Sequence, residues 1–476
     1  MKLSAFNVYV DKFPEADTAL VYNTFTGGFV SLDEATLAVL RKADAGGELE
    51  ADERELIDPE FFDDSVGILV ESRAVEEQAY RAHLNAWRGS TDRLDCIVST
   101  TLACNLDCTY CYQSDVLDGR TMSAETGRRS AVWLADRALE IGAKHIDLAF
   151  IGGEPLLHPH RITQIVQDIR ARTAAAGVRV SFNLITNGVF LTRKLVEEWV
   201  PLGLTMAKVT MDGDETTHST TRRSKKKAED SYATIFKNVV EASQLIRIYL
   251  NGNYTPDTIP GFVPLIQKLA AAGFKKGSQV HFSPALQAMG APPEGGLGGC
   301  NFTSSHPEYL IPLADAVRRA GYAPIDDTFI GPCALHRRHS YSIDPEGHLY
   351  KCPGFIGKPE WAVGHVENGL TPRYERLANI NPQRHCGSCA HRPECAGGCL
   401  AAEWMDAGRM EGVNCEIGFY ENHGDDFIKR KFLLATSDSV EEALSQLPDP
   451  PAAVMRRVGD IVSRRGEQIS LRVLAA

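Results

Sequence analysis

The sequence contains no long hydrophobic run. Although 43% of its 476 residues are hydrophobic, no window approaches the roughly 20 uncharged apolar residues that a membrane-spanning helix needs. The opening residues, MKLSAFNVYVDKFPEADTALVYN, contain no apolar stretch long enough for a signal peptide. The absence of a membrane-spanning run and of a signal peptide predicts a globular cytoplasmic protein. Its 476 residues are enough for about three domains.

The sequence also lacks an excess of positive charge. Its 50 Lys and Arg residues are outnumbered by 62 Asp and Glu residues, so the formal net charge is −12. A nucleic-acid surface needs a basic face, and anionic membranes attract one. We therefore expect neither a nucleic-acid nor a membrane partner. The one basic run, RRSKKK at 222–227, is interpreted as a solvated loop.

The twelve cysteines are the first positive signal. A reducing compartment keeps thiols free, so they indicate metal or redox chemistry and not a disulfide framework. Three of them, Cys104, Cys108 and Cys111, have the spacing C-x3-C-x2-C. This is an odd number for disulfides and one too few for a closed zinc site. Three thiolates can hold three irons of a [4Fe–4S] cube and leave the fourth open, while a zinc site with a distant fourth ligand is the alternative.

Strand-like apolar runs alternate with helical stretches between about residues 95 and 290. The six runs read CIVSTTLA, HIDLAFIGG, VSFNLITNG, MAKVTMDG, IRIYLNGNY and QVHFSPAL. Six βα units with strands buried on both faces predict an α/β fold, a parallel sheet curled into a partial (β/α)6 TIM-like barrel. The three cysteines directly follow the first strand, at the carboxyl end where such barrels place their active sites.

Changes of pattern divide the chain into predicted domains. These are an N-terminal α+β unit at 1–92, the barrel at 93–290, a linker at 291–330, a Cys-rich domain at 331–422 and a helical tail at 423–476.

At the cysteine motif the sequence resembles the radical S-adenosylmethionine (SAM) superfamily, whose motif reads C-x3-C-x-aromatic-C. GGEP at 152–155 resembles the family motif whose backbone carbonyls hold the SAM amino group, and glycines suit a close main-chain approach. ITNG ends the third strand as in relatives, and VTMDG resembles the family's SLDG. The resemblance implies SAM contacts at Tyr110, Gly152, Gly153, Glu154, Thr210, Arg222 and Leu286.

This resemblance also implies individual roles and a reaction. Thr210 would offer its hydroxyl to the ribose, and Arg222 would grip the SAM carboxylate. In the family, the open iron chelates SAM, and an electron then cleaves the sulfonium to a 5′-deoxyadenosyl radical. No protein side chain has to be catalytic, and a flavodoxin or ferredoxin is expected as electron donor.

A second set of cysteines lies near the C-terminus. CGSCAHRPECAGGC has the spacing C-x2-C-x5-C-x3-C, and HSYSIDPEGHLYKC predicts a hairpin that brings Cys352 back beside the strand after Cys333. A zinc ribbon, the alternative, usually has two C-x2-C knuckles on separate hairpins.

The spacing resembles the SPASM extension of radical SAM enzymes, which binds two auxiliary [4Fe–4S] clusters and brings the total to three. By position, the nearer cluster would be held by Cys333, Cys352 and Cys399. The farther cluster would be held by Cys386, Cys389, Cys395 and Cys415. Cys300 is a candidate fourth ligand of the nearer cluster, which is otherwise open, and Cys96 is expected in the core.

SPASM enzymes mostly oxidise side chains within peptides or proteins, and the N-terminal unit resembles a winged-helix leader-recognition domain. We therefore expect a maturase that installs a thioether or carbon–carbon crosslink in a ribosomally made peptide or small protein. The alternatives are sulfatase-type formylglycine formation, an iron–sulfur electron relay, a small-molecule radical enzyme, and an N-terminal unit that only caps the barrel. Pro353 stands where sulfatase-maturing relatives carry their base, which disfavours the first alternative.

Overall fold

The structure is a computed structural model. It describes residues 1–63, 65–226, 231–255, 257–284, 307–324, 333, 336–381, 383–399, 401, 403 and 415–447. The predicted positions Leu286 and Cys300, most of the linker and the end of the tail lie outside these residues. No helix in the described ranges is both long and apolar enough to cross a membrane.

Strands are numbered in chain order: β1 Lys2–Leu3, β2 Asn7–Asp11, β3 Thr18–Asn23, β4 Phe29–Asp33, β5 Leu69–Val70, β6 Arg93–Ser99, β7 Leu106–Cys108, β8 His145–Ile151, β9 Arg179–Thr186, β10 Leu204–Thr210, β11 Arg222–Ser224, β12 Arg247–Tyr254, β13 Gln279–Pro284, β14 Ser340–Ile343, β15 His348–Tyr350, β16 Gly364–His365 and β17 Gly369–Leu370.

Helices are numbered likewise: α1 Glu34–Asp44, α2 Ala51–Glu55, α3 Arg73–Gly89, α4 Ala124–Ile141, α5 Pro159–Thr173, α6 Arg193–Trp199, α7 Glu215–Thr221, α8 Ser231–Ala242, α9 Phe262–Ala271, α10 Pro307–Arg319, α11 Pro372–Ala378, α12 Arg392–Cys395, α13 Ile417–Thr436 and α14 Val440–Ser445.

The central sheet confirms the predicted partial barrel. Strands β6, β8, β9, β10, β12 and β13 lie side by side in chain order, and every neighbouring pair is parallel. Helices such as α4, α5 and α8 connect them and bury the outer faces of the strands. Because the strands share one direction, their carboxyl ends meet at one edge and bring the loops after them together.

The barrel strands are buried more strongly on the side that faces the helices. In β6, Leu94, Cys96 and Val98 are buried against the helical layer, which places Cys96 in the core as expected. Asp95 and Ile97, which alternate with them, are only half-buried and face the other way. The first strand therefore starts before CIVSTTLA, at residues whose charge conceals their strand conformation.

The Cys-rich region continues the barrel sheet. Strand β14 pairs in parallel with β6, and β14 and β15 form the predicted antiparallel hairpin. The turn between them ends at Gly347, whose φ of +95° favours glycine. Because β15 runs antiparallel to β14, the chain returns toward the first residue of β14, and Cys352 follows β15 at that end. Nζ of the preceding residue, Lys351, donates to the carbonyl of Ser340 at 2.9 Å.

The N-terminal residues form the predicted α+β unit. Strands β2, β3 and β4 make an antiparallel sheet, and β1 pairs with β5. Asp33 precedes helix α1, and its side chain accepts from the N–H of Thr36 and caps the helix. Helix α13, part of the predicted tail, packs Ile428 against Val10 and Leu20 of this sheet.

Candidate active site

The three motif cysteines lie at the carboxyl end of the barrel. Strands β7 and β11 form a short antiparallel ribbon in which Cys108 lies opposite Arg222. The backbone N–H of Cys111 donates to the carbonyl of Cys108 at 3.2 Å. Cys104 precedes the ribbon, and all three cysteines are half-buried. Part of the basic run is therefore strand, and Arg222 is buried, so the solvated-loop interpretation is wrong for its first residues.

The sequence is compatible with either an iron–sulfur cluster or a zinc ion at these thiols, and the spacing of the sulfur atoms distinguishes between them. Ligands of one tetrahedral zinc ion lie about 3.8 Å apart, since each Zn–S bond is about 2.3 Å long. Within the described part of the chain, the three sulfur atoms do not form a group within 4.8 Å of one another. A wider spacing suits sulfur atoms that each bind a different iron. The donor set therefore fits an iron–sulfur cluster better than zinc.

The protonation of the thiols indicates a bound metal but does not distinguish iron from zinc. Burial raises the pKa of Cys104, Cys108 and Cys111, to about 11 for Cys108. The positive charge of Arg222 lowers the pKa of each thiol but does not overcome the effect of burial. Thiolate ligands therefore need a further positive charge beside them, which a bound metal ion supplies.

The loop after β6 lies so close to GGEP that there is no room for a side chain at its first two positions. A Cβ on Gly152 would lie 2.2 Å from the carbonyl oxygen of Thr101, and one on Gly153 would lie 2.2 Å from that of Ala103. The N–H of Gly153 donates to Thr101 at 3.0 Å, and that of Glu154 donates to Ala103 at 2.8 Å. These glycines thus let the end of β8 hold the loop that carries Cys104.

Glu154 connects two of the predicted motifs, GGEP and ITNG, through buried hydrogen bonds. Its fully buried carboxylate accepts from the hydroxyl of Thr186 at 2.7 Å and from the backbone N–H groups of Leu156 and Asn187 at 2.9 and 2.7 Å. Burial raises the pKa of this carboxyl. The side chain of Asn187 in turn donates to Asn105 at 2.7 Å, beside Cys104. The ITNG turn therefore supports the cysteine loop through Glu154 and Asn187.

Tyr110 organises a buried network around Arg222. The guanidinium donates from Nη1 to the Tyr110 hydroxyl at 2.7 Å, and that hydroxyl donates to the carboxylate of Asp212. Asn253 donates to the Tyr110 oxygen at 3.2 Å and, through its backbone N–H, to Asp212 at 2.8 Å. Burial alone lowers the pKa of Arg222, but Tyr110, Cys108 and Asp212 outweigh this and raise it.

The sequence reasoning missed Asp212, Asn253 and His218. His218 is buried, and its Nδ1 lies 3.4 Å from the backbone N–H of Asp212. Burial lowers the pKa of His218 to about 3. Asp212 stands inside VTMDG, but the resemblance assigned a SAM contact in this motif to Thr210 alone, and no spacing signal marks Asn253 or His218. Thr210 ends β10 at the same edge of the barrel and is half-buried.

The cysteines of the C-terminal region fall into two groups. Burial raises the pKa of Cys352, and the nearby thiols of Cys399 and Cys333 raise it further. In the second group, burial raises the pKa of Cys386, and Cys389 and Cys415 add to the effect. Cys395 belongs with this second group, because Cys386 and Cys389 act on it in the same way. The two groups coincide with the predicted ligand sets, but cluster binding stays a prediction.

Residues 98–263 match the sequence profile of the radical SAM superfamily. Residues 98–263, about a third of the chain, therefore form a radical SAM domain, which agrees with the resemblance found at the cysteine motif. Members of this family use a [4Fe–4S] cluster together with SAM, which agrees with the donor set described above.

Curated relatives match the chain over part of its length. GTP 3′,8-cyclase from Chlorobaculum tepidum is 32% identical over 178 residues, or 36% of this chain and 49% of that protein. A cysteine-type anaerobic sulfatase-maturating enzyme from Clostridium perfringens is 24% identical over 151 residues, or 31% of this chain and 38% of the relative. The chain thus spans half or less of the length of these relatives.

Solved structures with a similar fold match more of the chain. Native anSMEcpe with bound AdoMet and Cp18Cys peptide gives a TM-score of 0.58 at 14% identity, and covers 72% of this chain and 99% of its own. Streptococcus suis SuiB bound to precursor peptide SuiA gives a TM-score of 0.50 at 14% identity, and covers 87% of this chain and 99% of its own. At such identities the likeness shows the fold alone.

Proposed function

We propose that this protein is a cytoplasmic radical SAM enzyme that installs a thioether or carbon–carbon crosslink in a ribosomally made peptide or small protein. The observation that carries the proposal is the division of ten cysteines into three groups, one at the barrel mouth and two in the Cys-rich region. One cluster is enough to cleave SAM. The two further cysteine groups could hold clusters that remove an electron from the product, as a crosslinking enzyme needs. Two proteins of similar fold have been solved with peptides bound, which supports a peptide substrate.

At the barrel mouth, Cys104, Cys108 and Cys111 would hold the cluster that binds SAM. The Nε atom of Arg222 is buried and has no hydrogen-bond partner, while Nη1 is held by Tyr110. The guanidinium is thus oriented before a ligand arrives and can receive the SAM carboxylate. The backbone of Gly152, Gly153 and Glu154, the hydroxyl of Thr210, and Leu286 complete the proposed SAM contacts.

The proposed reaction balances in hydrogen atoms and electrons. When bound, cluster and SAM supply a 5′-deoxyadenosyl radical, which takes one hydrogen atom from a substrate carbon at the expense of one electron from a flavodoxin or ferredoxin. Bond formation between that carbon and a substrate thiol then releases one proton and one electron. The remaining cysteines would hold two auxiliary clusters that take this electron: Cys333, Cys352 and Cys399 for the nearer, and Cys386, Cys389, Cys395 and Cys415 for the farther. The chain's own work is to orient the substrate and exclude water.

The N-terminal unit would bind the leader segment of the substrate. Among the described residues, β4 pairs with one strand, β3, so the backbone groups along its other edge are available. An extended peptide can pair with such an edge as an additional strand.

The proposal is tested with the anaerobically reconstituted protein, SAM, a chemical reductant and short peptides encoded beside its gene. We expect 5′-deoxyadenosine, together with loss of two hydrogen atoms from a full-length peptide but not from its leaderless form. The Cys104→Ala variant should form no 5′-deoxyadenosine. A protein with intact clusters that never cleaves SAM would be an electron relay, and the proposal would be abandoned.

Formylglycine formation is the second candidate, because one relative is a sulfatase-maturating enzyme. Pro353 opens a 3₁₀ turn at Pro353–Phe355 and has no group that could act as a base. Both reactions are two-electron oxidations, but formylglycine formation from cysteine also replaces sulfur, released as sulfide, by oxygen from water. Only formylglycine carries a carbonyl that reacts with a hydrazide. A product that forms a hydrazone would favour this second candidate.

A further inference from the structure

We propose that His336 is the fourth protein ligand of the nearer auxiliary cluster and completes the set Cys333, Cys352 and Cys399. This inference rests on the proposed function, because it assumes that these three thiols hold a cluster. Three cysteines leave one of four irons without a protein ligand. Cys300, the other candidate, lies outside the described residues. The cysteine spacing contains no signal for a histidine, so the assignment comes from the structure.

The first argument is that the imidazole of His336 is buried and has no hydrogen-bond partner. His336 is 3% exposed, and both Nδ1 and Nε2 are buried without a hydrogen-bond partner. In the described part of the chain, it is the one histidine with both ring nitrogens in this condition. A neutral imidazole offers one donor and one acceptor, and leaving both unpaired away from water is costly. A bound iron atom would use the acceptor nitrogen.

The second argument is position. The backbone N–H of His336 donates to the carbonyl of Cys333 at 2.9 Å, which holds the two residues next to each other. Lys351, which precedes Cys352, donates from Nζ to the carbonyl of Arg337, the residue after His336, at 2.5 Å. The thiols of Cys333 and Cys399 are in turn close enough to act on Cys352. His336 therefore lies beside the segment that carries Cys333 and the segment that leads to Cys352.

The assignment has a chemical consequence. Imidazole replaces thiolate in some biological iron–sulfur centres, and the lower negative charge raises the reduction potential. A cluster with this ligand would accept an electron from the product more readily than one with four thiolates. It would also have no open iron, so a substrate thiol would not bind there.

The test is pulsed electron paramagnetic resonance on the reduced, reconstituted full chain, prepared with natural-abundance and with ¹⁵N-labelled histidine. We expect one auxiliary cluster to show a directly bound nitrogen whose coupling changes with the isotope. This measurement needs no variant and does not depend on activity. Absence of histidine coupling in a protein that contains about twelve irons would overturn the inference and leave the proposed function standing. A chain that holds only about four irons would overturn both.

Variants then assign the nitrogen. His336→Ala should abolish the coupling, and His336→Cys should abolish it while retaining the iron and shifting one reduction potential to more negative values. His339→Ala is the matched control, since His339 is another buried histidine with an unpaired Nδ1, and it should leave the coupling intact. Coupling that survives in His336→Cys, or disappears in His339→Ala, would refute the assignment.

Discussion

Arg222 shows how one residue can be prepared for a ligand. Its direct partner is the phenol of Tyr110, and Asp212 acts on it through that phenol. A carboxylate can accept two N–H groups of a guanidinium at once, whereas the single oxygen of Tyr110 accepts from Nη1 and leaves Nε unpaired. The aromatic residue of the cysteine motif therefore has a structural reason to be tyrosine in this chain.

Replacing Tyr110 with phenylalanine tests this arrangement. Loss of a hydrogen bond to a charged group weakens binding by about 1.5 kcal/mol, so the Kd for SAM should rise about tenfold. Iron content should stay unchanged, because no thiol is altered. The measurement is equilibrium dialysis with labelled SAM, and Tyr112→Phe is the control. Equal Kd values for wild type and Tyr110→Phe would show that the phenol does not position Arg222.

His218 predicts a pH dependence of stability. Burial lowers its pKa in the folded protein to about 3, whereas the unfolded chain titrates near its ordinary value of about 6.5. The unfolded state therefore binds more protons between these values. The stability due to the neutral ring is complete above about pH 6.5 and is lost as the pH falls toward 3.

Replacement of His218 by glutamine should remove this loss. Between pH 6.5 and 5 the wild type should lose up to about 2 kcal/mol through this residue, seen as a lower urea midpoint, and the variant should lose less. His160→Gln, at an exposed position, is the control and should follow the wild type. A variant with the wild-type slope would show that His218 titrates normally.

At the scale of elements, the active site depends on the close approach of the β8 end to the loop after β6. Gly153→Ala would place a Cβ 2.2 Å from the Ala103 carbonyl, which forces the loop away and displaces Cys104. We expect a loss of about one third of the bound iron, the share of one cluster in three. Iron analysis measures this, and Gly89→Ala, where a Cβ would meet nothing within 4 Å, should keep the full content. Full iron in Gly153→Ala would show that the loop tolerates the shift.

The six barrel strands were predictable because their apolar runs recur with helices between them. The predicted runs included the first residues of β8, β12 and β13, whereas the start of β6 was missed because Arg93 is exposed and charged. The ribbon of β7 and β11 was missed because strands of three residues have no periodic pattern. The pairing of β14 with β6 joins distant parts of the chain, which local pattern does not reveal. Motif residues were found by spacing, whereas His218 and His336 became visible only through burial.

At the scale of the whole molecule, the N-terminal unit is tied to the Cys-rich region. Arg392, which lies between Cys389 and Cys395, forms a bidentate ion pair with Glu77 of α3 at 2.6 and 3.2 Å. The hydroxyl of Tyr80 donates to the carbonyl of Arg392 at 3.2 Å. The unit proposed to bind the leader therefore contacts the segment proposed to hold the farther cluster.

This contact predicts that loosening the N-terminal unit destabilises the farther cluster. Arg392→Gln removes a charged pair whose arginine side chain is 10% exposed, so we expect a loss of about 1–2 kcal/mol, with faster proteolysis of the N-terminal unit and lower iron content. Arg81 pairs with the same Glu77 but is 72% exposed, so Arg81→Gln should change stability by about 0.5 kcal/mol or less. Thermal unfolding, limited proteolysis and iron analysis of both variants test the coupling. If the two variants behave alike, the ion pair is a surface contact, and the N-terminal unit is stabilised by its packing against α13 instead.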